Sequence, residues 1–148
     1  MLRRLVIVAA VLTGLLSLPA HALEFRSVKE TGVALYEAPA LSAKKLFVVS
    51  RYYPVEVLSS QKEWARVRDA TGGIAWIPVA ALSGQRWLLV TADQTVVRDS
   101  PKGDGKALFS VSRDGVLQLV QPPQDGWVKV RHRDGSSGFA RITDLWGL

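Results

Sequence analysis

Residues 64–82, WARVRDATGGIAWIPVAAL, and residues 127–145, WVKVRHRDGSSGFARITDL, decide the architecture of this chain. Each opens on Trp-x-x-Val-Arg, turns through glycine into a short strand with an aromatic residue, and closes on Leu82 or Leu145. The agreement extends outward. With a shift of 62 residues, Val28 falls on Val90, Pro39 on Pro101 and Lys44 on Lys106. Leu46-Phe47 falls on Leu108-Phe109, and Ser50-Arg51 on Ser112-Arg113. Taking Gly126 as one inserted residue moves the shift to 63, which aligns Trp64 with Trp127, Gly72 with Gly135 and Leu82 with Leu145. A collinear, twofold repeat of this length implies two domains rather than a solenoid. The boundary falls near Gly84-Gln85, giving units at 23–85 and 86–148.

Short alternating runs separated by turn residues predict strands in both copies. In the first they are Val33–Tyr36, Leu46–Ser50, Pro54–Leu58, Trp64–Arg68 and Ile74–Ile77. In the second they are Thr95–Arg98, Ala107–Ser112, Val116–Val120, Trp127–Arg131 and Gly138–Ala140. Gly72-Gly73 and Asp134-Gly135 supply turns that need positive φ. Five short strands, a closing helical turn and no room for a long helix predict an all-β fold of two tandem small five-stranded barrels.

The amino terminus reads as an export signal. Arg3 and Arg4 precede an uncharged run from Leu5 to Leu16, and Ala20-His21-Ala22 offers small residues at a cleavage site after Ala22. The run is shorter than the roughly 20 residues a spanning helix needs. Residues 1–22 are therefore expected to leave the mature protein, and with no cysteine in the sequence a lipoprotein anchor is excluded. Loss of Arg3 and Arg4 lowers the formal charge from +6 to +4. That balance is too mild and too evenly spread for a nucleic-acid interface. No disulfide can staple either half, and units of about 60 residues are near the lower limit for folding alone. The two halves are accordingly expected to touch.

The order Trp-x-x-Val, glycine turn, aromatic strand and closing Leu, repeated and preceded by RYYPVEVL at 51–58, resembles the bacterial Src-homology-3 (SH3b) family. The resemblance implies two SH3-like barrels covering nearly all of the mature chain. It also implies a shallow ligand channel, whose residues in the first unit would be Tyr36, Trp64, Trp76 and Pro78. The second unit departs from the pattern, with Arg98 for the tyrosine and Arg141 for the proline.

Strand alternation bears on the same face. In WARVR, Ala65 and Val67 share one side and Trp64, Arg66 and Arg68 the other; in WVKVR, Trp127, Lys129 and Arg131 lie opposite Val128 and Val130. Both tryptophans are thereby expected away from the core beside basic groups, a surface suited to stacking and to anions. The alternative is that they fold over a barrel rim or lie between the domains. Tyr52-Tyr53 are expected to cap a barrel end, and Trp146 to pack on a barrel end or on the other domain.

Groups for catalysis are not apparent. His132 is the single histidine after Ala22, cysteine is absent, and no serine stands in a nucleophile-elbow sequence. One histidine without a carboxylate cluster makes no zinc site. The expectation is a non-enzymatic envelope protein without a cofactor, periplasmic, or wall-associated where there is no outer membrane. The resemblance to bacterial SH3 domains implies peptidoglycan or its stem peptides as the ligand; the alternative is that the protein is itself an adaptor holding an envelope enzyme or assembly. The candidate ligand-binding residues are Tyr36, Trp64, Arg66, Trp76, Pro78, Trp127 and Lys129.

Overall fold

The computed structural model describes residues 23–148; the expected signal segment, 1–22, lies outside the described residues. In the first unit the strands are β1 (Phe25–Val28), β2 (Val33–Tyr36), β3 (Lys45–Val49), β4 (Pro54–Gln61), β5 (Trp64–Arg68), β6 (Ile74–Pro78) and β7 (Leu82–Ser83). A 3₁₀ turn, Val79–Ala81, precedes β7. The second unit repeats this with β8 (Trp87–Val90), β9 (Gln94–Arg98), β10 (Ala107–Ser112), β11 (Val116–Leu119), β12 (Trp127–Arg131), β13 (Ser137–Arg141) and β14 (Leu145–Trp146), with a 3₁₀ turn at Ile142–Asp144.

Each unit is one antiparallel sheet, ordered β3-β2-β6-β5-β4-β1-β7 and β10-β9-β13-β12-β11-β8-β14. All seven strands of the first sheet send residues into one cluster, from Val28 and Leu35 through Val55, Val67 and Ile77 to Leu82. A sheet whose outermost strands share one core must curl around it. The curl is helped by register shifts at Leu35/Tyr36 and Val57/Ser59, since an extra residue bends a strand and increases its twist. The second cluster, with Leu88, Val97, Leu117, Val128 and Ala140, is its counterpart.

The expected count of five strands is corrected to seven. Four elements were missed, and the physical reason is visible in three of them. Trp87–Val90 is buried at every position, and a strand covered on both faces has no alternation to read. Leu82–Ser83 and Leu145–Trp146 are two-residue strands that exist only by pairing with β1 and β8.

The insertion between copies is also relocated. Lys62 and Asp125 share the same φ of 51°, and the carbonyls of Glu63 and Gly126 accept from Val79 and Ile142 respectively. Gly126 is therefore the partner of Glu63. The extra residue lies upstream, in the 121–123 segment that follows β11, where the side chains of the two copies do not correspond.

The halves pack on each other, as their small size required. Tyr52 stacks on Trp87 with ring centroids 3.8 Å apart, and Phe25 meets Trp146 edge-on at 5.1 Å. The Arg86 guanidinium lies 5.5 Å from the Phe25 ring and donates to the Gly147 carbonyl at 2.7 Å. Trp87 N–H donates to Ser27 Oγ at 3.2 Å. Tyr52 thus reaches the other domain, while Tyr53 packs against its own core and accepts from Ala70 N–H at 3.2 Å.

Candidate functional site: an open groove, its covered copy and the cleft between the domains

The first-unit candidates converge because β2, β6 and β5 are neighbours. Tyr36 pairs with Trp76, Trp76 with Arg66, and Trp64 with Pro78. Alternation then sets Ala65, Val67, Ala75 and Ile77 into the core and leaves Trp64, Arg66, Trp76 and Pro78 on the outer side. Tyr36 is itself buried, 8% exposed, with its ring edge-on to Trp64 at 5.3 Å. It supports the indole more than it offers a surface of its own.

Trp64 and Pro78 line a groove of about 810 Å³. Its other walls come from residues the sequence reading did not single out: Leu41, 74% exposed, Val79, 40% exposed, and the Lys62-Glu63 turn. Leu41 sits in the polar loop between β2 and β3, where an isolated exposed leucine carries little signal before the loop is folded against β5.

The second unit differs in kind. Trp127 lies on the outer side of β12, yet it is only 9% exposed, which corrects the expectation of an exposed tryptophan there. The cover is Arg141, whose guanidinium lies 4.8 Å over the indole. Arg141 occupies the place of Pro78 in the repeat, opposite Trp127 in the strand register. A cation over an indole face is attractive and shields it from solvent. Arg98, in the place of Tyr36, turns away to donate to the Gly105 carbonyl at 2.8 Å. Trp127 and half-buried Lys129 border a smaller recess of about 250 Å³ with Phe139 and Pro101.

A further cleft, of about 700 Å³, lies where the two domains meet. Phe47, Val48 and Tyr53 of the first domain and Leu89 and Val116 of the second line it, together with Arg51, Asp69, Asp114 and Arg133. Asp69 is buried, and its Oδ1 accepts from Thr71 N–H, Thr71 Oγ1–H and Gly73 N–H, which fixes the β5–β6 turn. Burial holds the Tyr53 phenol above its ordinary value, the Ala70 N–H opposes that, and Asp69 and Asp114 add to it. No sequence signal identified this cleft, since its walls belong to different copies of the repeat.

His132 sits in the β12–β13 turn, its Nδ1 3.3 Å from Asp134 Oδ1, and Gly72 and Gly135 in the paired turns have φ near 90°. Hydrogen bonds from Ser136, first its backbone N–H, hold the Asp134 carboxyl below its usual range. Among the described residues no group of three His, Cys, Asp or Glu side chains could hold a metal ion. Among them also, no helix is long and apolar enough to cross a membrane.

Solved structures similar to this chain include NlpC1 from Trichomonas vaginalis, at 16% identity over 87% of this chain and 47% of that one, TM-score 0.39. NlpC2 from the same organism matches at 16% identity, 84% and 48% coverage and TM-score 0.39. An NlpC/P60 family protein from Bacillus cereus ATCC 10987 matches at 15% identity, 83% and 56% coverage and TM-score 0.38. The chain spans about half the length of these proteins. No curated protein matches it. Family models described as bacterial SH3 domain match twice, at residues 31–83 and again at 91–147. The chain therefore belongs to the bacterial SH3 family, as a tandem pair of its domains.

Proposed function

We propose that the protein is a non-catalytic binding module of the cell envelope that recognises peptidoglycan through its stem peptides, using the groove of the first domain. The observation that carries this reading is the asymmetry between the two copies. Trp64 and Pro78 border an open groove, whereas the corresponding tryptophan is covered by Arg141. Bacterial SH3 domains often bind cell-wall components, which gives the reading its ligand class.

The chemistry is suited to such a ligand. A stem peptide offers amide planes, small apolar side chains and carboxylates. The Trp64 indole and the Pro78 ring supply flat apolar contact, which needs little side-chain ordering on binding. Lys62 in the wall and exposed Arg66 on the next outward position of β5 supply cations for carboxylates. Trp76 continues the aromatic surface, and Tyr36 fixes the tilt of Trp64. Trp127 and Lys129 have a lesser part, through the smaller recess of the second domain. Export to the periplasm, or to the wall where there is no outer membrane, belongs to the same proposal.

Co-sedimentation with purified sacculi at low salt tests it. The protein is expected in the pellet and released by excess soluble stem peptide. Protein that stays in the supernatant, while crosslinking in cells recovers one dominant protein partner, would replace this reading with that of an adaptor.

A further inference from the structure

The cleft between the domains has features that neither groove shares. Its first wall is the edge strand β3, which among the described residues pairs with β2 alone, so one row of its backbone groups has no partner strand among them. Phe47, 39% exposed, and Val48, 60% exposed, lie along that edge. An open edge with exposed apolar side chains accepts an extended peptide as an added strand, with the facing wall reading its side chains. Here the facing wall, Leu89 and Val116, belongs to the other domain.

The charges around the cleft are of both signs. Asp69 from the first domain and Asp114 from the second both line the cleft, together with Tyr53. Neither carboxylate is in an ion pair among the described residues, although Glu24, Glu56 and Asp93 each pair with an arginine. Arg51 and Arg133 line the same cleft and likewise make no ion pair among the described residues. The Tyr53 oxygen accepts from Ala70 N–H, which leaves its own proton to donate.

We propose that this interdomain cleft is a second peptide site, for an extended peptide bearing an ammonium group and carboxylates together. Asp69 and Asp114 receive the ammonium end, Arg51 and Arg133 the carboxylates, and β3 the backbone between them. This rests on the wall-peptide reading for the identity of the ligand, and explains what a second domain with a covered groove contributes. The site exists only when both domains are present and docked.

The test is a titration of the ¹⁵N-labelled full-length mature protein with N-acetyl-L-alanyl-γ-D-glutamyl-meso-diaminopimelate, whose single ammonium lies on the diaminopimelate beside a carboxylate. The control peptide has that amine acetylated. Expected are amide shifts at Val48, Tyr53, Leu89 and Val116, with the control at least tenfold weaker. Asp114→Asn and Arg133→Gln should each weaken binding about tenfold; both side chains are exposed, and asparagine tolerates the φ of 68° at position 114. Shifts confined to the Trp64–Trp76 face, or none, would overturn the second site. So would concentration-dependent shifts along β3 without peptide, which would assign that edge to a second copy of the chain. Pelleting of the Asp114→Asn/Arg133→Gln double variant with sacculi, measured in parallel, reports on the first groove separately: pelleting without cleft shifts in wild type removes this inference and leaves the wall-binding reading standing.

Discussion

The joint between the domains can be weighed through one aromatic pair. Tyr52 and Trp87 lie 3.8 Å apart with 21° between their planes, and they belong to different domains. Trp87 is 5% exposed, and its indole Nε1 has no hydrogen-bond partner among the described residues, so truncation loses packing without breaking a side-chain hydrogen bond. Trp87→Ala should cost about 3 kcal/mol, the lower part of the range for buried aromatics. Tyr52 is half-buried and should cost about 2 kcal/mol as alanine, which keeps the same strained positive φ of 73° and so isolates the ring. Stacked pairs contribute about 0.5–1.5 kcal/mol beyond the area they bury, so the coupling energy should be near 1 kcal/mol. The assay is urea unfolding of wild type, both single variants and the double variant, followed by circular dichroism and tryptophan fluorescence. Wild type should unfold in one transition by both probes. A coupling energy within about 0.3 kcal/mol of zero, with two separate transitions in wild type, would refute the packed joint and the cleft that depends on it.

Two further outcomes follow from the geometry. Arg141→Ala should uncover Trp127, seen as greater acrylamide quenching and a red-shifted emission; unchanged quenching would mean the guanidinium is not what shields the indole. Alkaline stability should depend on Tyr53. Burial raises its folded value above the ordinary 10.0, so the unfolded chain loses the proton first. The stabilisation is fully present below pH ~10 and is lost as pH rises through the folded value. Tyr53→Phe should flatten that decline; an equally steep decline would place the titrating group elsewhere.

The sequence made much of the fold legible, because the information was local. Trp64–Arg68 and Trp127–Arg131 are strands with the bounds that alternation implies, and Gly72 and Gly135 turn them back as positive φ requires. The same alternation set both tryptophans on the outer side. It could not say what lies over that side. Over Trp64 the proline leaves a groove, while over Trp127 an arginine from the neighbouring strand closes it, and only the strand register brings those residues together. The first strand of the second unit escaped notice for a related reason. WLLV at 87–90 is buried by its own sheet and lies at the joint, so its pattern is continuous. The interdomain cleft was the least legible feature, since Val48, Tyr53, Leu89 and Val116 become neighbours only when two separately folded units dock.

The first domain is proposed to bind the wall through Trp64 in its open groove, while the corresponding tryptophan of the second domain is covered by Arg141. Trp64→Ala and Trp127→Ala, each confirmed as folded, should be compared for pelleting with purified sacculi. On this reading Trp64→Ala should pellet far less than wild type, and not at all when Asp114→Asn and Arg133→Gln are added, while folded Trp127→Ala pellets nearly as well as wild type. Equal loss in both variants, or full pelleting by Trp64→Ala, would contradict it.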